Sequence, residues 1–172
     1  MTLEELNRLD RGRFVETLGA IYEHSPWVAQ AAFHARPFAT SDDLARAMAQ
    51  AVAAADETRQ QALIDAHPDL GVKLGRASAL APSSRSEQAS LGLDRLPEAE
   101  HTRLDALNRA YRARFGFPFI IAVRDHNLES LAAAFELRLR NDLTTERRTA
   151  LEQIDRIAAL RLETLMALRD VS

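Results

Sequence analysis

Residues 144–169 read TTERRTALEQIDRIAALRLETLMALR, with no proline or glycine among them. Leu151, Ile154, Ala158, Arg161, Leu165 and Leu168 step by three and four residues, the spacing of one face of an α-helix. The stretch predicts a helix that begins at Thr144 or Thr145 and runs to about Arg169. One residue breaks the apolar stripe: Arg161 sits on the face that should turn to the core. A buried guanidinium requires an anion or strong acceptors opposite it. One reading is an ion pair with a buried Glu or Asp, or a side chain that reaches back to solvent. The other is a fork for a planar anionic or carbonyl-bearing ligand. Spacing alone leaves both open, with the ion pair the commoner case.

Outward from this helix, the rest of the chain carries helical punctuation and no clear strands. Thr2 with Glu5 reads as a capping box. Phe14, Leu18 and Ile21 repeat at helical spacing in a second helix. Ser25-Pro26 offers an N-cap followed by proline at the first helical position, in a helix that stops near Arg36-Pro37. Ser41 caps the next, with Leu44, Met48 and Val52 on one face. Residues 56 to 65 form another, which ends at His67-Pro68 because proline pushes its predecessor out of the α region.

Residues 67 to 83 are the longest irregular stretch. Ser84 restarts a helix that Gly92 stops, and Pro97 opens a longer one bearing Leu104, Leu107, Tyr111 and Phe115. Phe119 to Val123 is predicted extended. Asn127 begins a helix through about Asn141. The expected architecture is all-α: a single-domain bundle of about eight helices over residues 1–172, with one long functional loop and a short extended segment.

Composition narrows the function classes. Hydrophobic residues make up 47% and charged residues 27%, as in soluble globular chains. The net charge is −3 and the basic residues are dispersed, so no nucleic-acid surface is expected. Cysteine is absent, which excludes disulfides and thiolate chemistry. No run approaches the roughly 18 apolar residues of a membrane span. The N-terminus lacks the apolar segment of a signal peptide, and "RDVS" at the other end is not a peroxisomal signal. The expectation is a cytoplasmic protein without a membrane or nucleic-acid partner. The five histidines have no helical ligand spacing, so no metal site is expected.

Three further places could carry chemistry. Ser84-Arg85-Ser86-Glu87-Gln88 fits a capping box from Ser84 to Glu87. A helix N-terminus bearing a hydroxyl, a carboxylate and an amide could equally grip a polar heterocycle. His67 stands at the forced break. It is structural or solvated in the commoner case, but an imidazole there can also exchange protons near neutral pH. Phe119–Val123 could simply be core. An extended segment in a helical protein nevertheless leaves backbone N–H and C=O groups without intrahelical partners, and a ureide would match them.

Taken together, "HPDLG" (67–71), "SRSEQASLGL" (84–93), "LNRAYRARFGFPFIIAV" (107–123) and "RL" (161–162) resemble the OHCU decarboxylases. These enzymes act on 2-oxo-4-hydroxy-4-carboxy-5-ureidoimidazoline in urate degradation. The resemblance runs from about Phe14 to Leu168, and it is the order and separation of the four motifs that make it specific. It departs after Val123, where "RDHN" replaces an expected basic-Gly turn, which puts the shape of that loop in question.

The resemblance implies an all-α fold, no cofactor, a homodimer, and (S)-allantoin as product. It implies that His67 is the catalytic acid; beside it, Glu87 is expected to hold the ring hydroxyl or the imidazole. The implied substrate site comprises Pro68, Ser84, Arg85, Ser86, Glu87, Gln88, Phe119, Ile120, Ile121, Ala122, Val123 and Arg161. A related enzyme acting on another ureide or carboxylated heterocycle remains an alternative, and a non-catalytic helical binding module is a more distant one.

Overall fold

The computed structural model describes residues 1–71 and 81–167. The middle of the expected long loop, residues 72–80, and the expected last positions of the final helix, Leu168 and Arg169, lie outside the described residues. Among the described residues there are nine α-helices, three 3-10 turns and no strand. The all-α expectation holds, with one helix more than anticipated.

The chain forms two compact units: Met1–Ala66 with the chain from Asp155 on, and His67–Ile154. The first unit contains α1 (Leu3–Arg8), α2 (Arg11–Leu18), α3 (Pro26–Ala32), α4 (Ser41–Ala53) and α5 (Glu57–Asp65). The Thr2–Glu5 capping box forms as read: the Thr2 hydroxyl accepts from Glu5 N–H and the Glu5 carboxylate accepts from Thr2 N–H. The cap of α4 is Thr40, one residue before the expected Ser41, and Asp43 returns the bond to complete a capping box. Leu44, Met48 and Val52 are buried on one face of α4, as the periodicity requires. Phe14 and Leu18 are buried on α2, whereas Ile21 lies beyond its end.

Around α2 and α3 the core is aromatic: Phe14 meets Phe33 edge-on and stacks on Phe38. The Arg36 guanidinium lies 3.6 Å from the Phe33 ring centre and donates to the carbonyls of Asn7 and Leu9. Trp27 is half-buried, with the Arg59 guanidinium carbon 5.8 Å from its ring centre.

The second unit contains α6 (Pro82–Ser90), α7 (Glu98–Phe115), α8 (Leu128–Arg138) and the first half of α9 (Leu143–Ala167). Gly92 and Gly116 follow α6 and α7 in the left-handed conformation, the usual helix-stopping geometry. Asn127 forms a capping box with Ser130 at the start of α8. The core of this unit is a second aromatic cluster, in which Tyr111 packs against Phe115, Phe117, Phe119 and Phe135. On α9, Ile154, Ala158 and Arg161 of the predicted stripe are buried, while Leu151 and Leu165 are half-buried. No helix among the described residues is long and apolar enough to cross a membrane.

Candidate active site

His67 opens the second unit and is 6% exposed, so it is not the solvated loop histidine its position alone would allow. The chain after it is held by three side chains. Gln88 Oε1 accepts from Gly71 N–H at 2.9 Å, and its Nε2 donates to Asp69 C=O at 3.3 Å. Asn108 Nδ2 donates to Leu70 C=O at 2.8 Å. Arg112 Nε donates to both oxygens of the Asp69 carboxylate, at 2.9 and 3.1 Å. The stretch His67–Gly71 is thus fastened to α6 and α7 through its own backbone and the Asp69 carboxylate, which fixes the base from which the imidazole projects.

Gly71 turns the chain with φ +67°, and a Cβ there would lie 2.4 Å from Leu104 Cδ2. Only glycine adopts this conformation without strain.

The Ser84–Glu87 capping box does not form as the N-terminal cap of α6. Pro82 occupies the first turn and Ala81 is the N-cap, without a side-chain bond, so the helix starts before Ser84. Ser84 lies inside it, and the i, i+4 pair Ser84 and Gln88 is buried on one face. Glu87 is half-buried beside them, whereas Arg85 and Ser86 are exposed. Ser84, Glu87 and Gln88 therefore share the inner aspect, and Arg85 and Ser86 do not. Pro68 is half-buried, next to the imidazole in sequence.

Phe119–Val123 is buried throughout. Residues 118–122 carry no helix or ladder assignment, and the 3-10 turn Val123–Asp125 follows, so Val123 ends the irregular run rather than extending it. The same turn packs against α6. Two backbone groups of the segment are already paired with side chains. Ile120 C=O accepts from Arg138 Nη1 at 2.6 Å, and Ala122 N–H donates to Gln153 Oε1 at 2.9 Å. Among the described residues no partner pairs with the N–H or C=O of Ile121.

Arg138 belongs to a buried network that sequence reading passed over. Its Nε donates to Glu146 Oε1 at 2.8 Å, the Tyr111 hydroxyl donates to the same oxygen, and Asn141 Nδ2 donates to Oε2 at 2.8 Å. The Arg138 guanidinium carbon lies 4.3 Å from the Phe119 ring centre, and that ring stacks on Phe135. Burial, then the bond to Glu146, holds the Tyr111 phenol far above its ordinary range. Leu131, Phe135 and Arg138 step by four and three residues, the same break in an apolar stripe that drew attention to Arg161.

In the first unit, Arg161 Nη1 donates to Glu23 Oε2 and to Ile21 C=O, each at 3.1 Å. The ion-pair reading of Arg161 thus holds. Its partner, Glu23, lay hidden in an aperiodic turn. Among the described residues no three His, Asp or Glu side chains converge as metal ligands.

Three of the predicted pieces, His67–Gly71, Ser84–Gln88 and the end of Phe119–Val123, therefore converge on α6 within the second unit. The OHCU decarboxylase family model matches residues 7–163. The chain belongs to the OHCU decarboxylase family. Within that family it is 46% identical to a 2-oxo-4-hydroxy-4-carboxy-5-ureidoimidazoline decarboxylase of Haloferax volcanii, over 94% of each chain. It is 44% identical to the protein of the same name from Halalkalicoccus jeotgali, over 99% of this chain and 94% of that one. A crystal structure of (S)-allantoin synthase superposes with a TM-score of 0.77 at 32% identity, over 96% of this chain and 54% of the other. Relatives of this family thus carry names for both the substrate and the product of one decarboxylation.

Proposed function

We propose that this chain is a carboxy-lyase that converts OHCU to (S)-allantoin in urate degradation and uses no cofactor. The observation that carries the reading is the family match across residues 7–163. The chemistry is self-sufficient. Decarboxylases commonly need an electron sink supplied by a cofactor. In OHCU the carbon bearing the carboxylate adjoins an imine carbon. As the C–CO₂ bond breaks, its electron pair forms a ring double bond, and the imine electrons move to the ring nitrogen, which takes a proton. The product of this step is an enol. A proton added to the ureido-bearing carbon, with collapse of the enol to a ketone, completes allantoin. Delivery of that proton to one face sets the chirality.

In this proposal His67 delivers the proton. Its burial, and the clamp of Gln88, Asn108 and Arg112 on the residues after it, support a donor held in one orientation. Glu87 holds the ring hydroxyl or the imidazole, with Pro68, Ser84 and Gln88 shaping the grip. The open N–H and C=O of Ile121 suit a ureide, which offers a donor and an acceptor side by side. Arg161 binds substrate as well as Glu23. Arg85 and Ser86, being exposed, contribute at most at the rim. The protein acts as a single-domain, cytoplasmic homodimer on a small molecule, without a nucleic-acid or membrane partner.

Circular dichroism of the allantoin formed from freshly generated OHCU tests the reading. The wild type should yield (S)-allantoin rapidly. His67→Asn should turn over about 10²–10⁴-fold more slowly, the usual contribution of a placed proton donor, with its far-ultraviolet spectrum retained. Racemic allantoin at the uncatalysed rate from the wild type would overturn the proposal.

A further inference from the structure

We propose that Arg138 and Gln153 are positioning residues that decide which edge of the Phe119–Val123 backbone meets the substrate; this rests on the decarboxylase reading above. In an extended chain the N–H and C=O of one residue point to one edge, and those of the next residue point to the other. In a planar trans peptide, too, the C=O and the N–H point in opposite directions, so with Ile120 C=O turned to Arg138 and Ala122 N–H turned to Gln153, the N–H and the C=O of Ile121 point away from those two side chains. Arg138 Nη1 holds Ile120 C=O at 2.6 Å and Gln153 Oε1 holds Ala122 N–H at 2.9 Å, while Ala122 C=O accepts from Asp125 N–H at 3.0 Å. Both groups of Ile121 lack a partner among the described residues. The pattern is a backbone pinned along one side and left readable along the other.

The pin is rigid because it is tied deeper. Arg138 is buried, its Nε is held by Glu146, and its guanidinium lies over the Phe119 ring one residue before the carbonyl it binds. Glu146 is fully enclosed and also takes the Tyr111 hydroxyl and the Asn141 amide. Gln153 lies two turns further along α9 from Glu146, so one helix carries both Gln153 and the carboxylate that holds Arg138. Neither Arg138 nor Gln153 needs to touch the substrate. Their function is to keep the segment from rotating its free edge away, and so to set how tightly a ureide is held.

Three variants test this. Gln153→Leu removes the acceptor for Ala122 N–H at a half-buried site, where the fold should survive. Gln153→Glu places a carboxylate oxygen where the amide oxygen accepts and should keep the bond. Arg138→Lys keeps the charge beside Glu146 but loses the planar fork that serves Glu146 and Ile120 together. Gln153→Leu and Arg138→Lys should each raise KM for OHCU, and Kd for allantoin, by about tenfold, as expected for the loss of one well-made hydrogen bond. The change should fall on KM and leave kcat near its wild-type value, because the grip is common to ground and transition states. Gln153→Glu should return KM to the wild-type value. An unmoved KM in Gln153→Leu, or a fall in kcat alone, overturns the proposal while wild-type turnover keeps the decarboxylase reading intact. A wild type that does not turn over OHCU overturns both.

Discussion

Arg161 Nη1 lies 3.1 Å from Glu23 Oε2, and the two side chains are only 7% and 2% exposed. Taking one ion away would leave the other enclosed without its counter-charge. Glu23→Ala should therefore destabilise the protein by about 3–5 kcal/mol, read as a lower urea midpoint at an unchanged m-value. Glu23→Gln, which keeps an acceptor, should cost less. A loss below about 1 kcal/mol in Glu23→Ala, the level of an exposed pair, would show that the contact does not anchor Arg161.

Gly71 should tolerate no side chain. At φ +67° an L-residue carries a strain of about 1–2 kcal/mol, and the added Cβ would also meet Leu104 at 2.4 Å. Leu104 can swing aside, but the backbone strain cannot. Gly71→Ala should lose about that much stability. Turnover should fall as well, because the N–H of Gly71 is one of the bonds that fasten the histidine-bearing stretch to Gln88. A variant with wild-type stability would mean that the turn relaxes to another conformation at no cost.

The chain has two tyrosines, and both phenols should resist ionisation. Burial, then the neighbouring Asp155 carboxylate, raises Tyr22 above its ordinary value of 10.0; burial, then the bond to Glu146, does the same for Tyr111. Because the folded values are raised, the stability these groups contribute is complete below the unfolded value near pH 10 and is lost as pH climbs beyond it. An absorbance titration at the phenolate band should show neither tyrosine ionising at pH 11 in the native protein, and both titrating near pH 10 in denaturant. Native titration of either ring near pH 10 would contradict the enclosed geometry of that ring.

Much of the fold was legible because local chemistry states it. The Thr2–Glu5 box, the Leu44, Met48 and Val52 face, and the stop at Gly92 all depend on neighbours within a few residues. Errors arose where two local signals competed. Thr40 and Ser41 are both cap residues, and backbone geometry chose the first. Ser84 and Glu87 matched a capping box, yet Pro82 had already opened the helix and turned Ser84 inward. Within the site, residue types at chain breaks could be picked out in advance, but the side chains that hold them could not. Glu23 meets Arg161 across 138 positions, and Asn108 meets Leu70 across 38. No periodicity encodes such distances. Arg138 is the exception that could have been found, since it interrupts the buried row of Leu131 and Phe135.

Trp27, half-buried with Arg59 above its ring, is the sole indole of the chain and belongs to the first unit. Intrinsic emission will therefore track the melting of α3 and its surroundings. A tryptophan introduced at Leu96, beside Gly71, would add a reporter within the second unit for a dye-free assay of ligand capture.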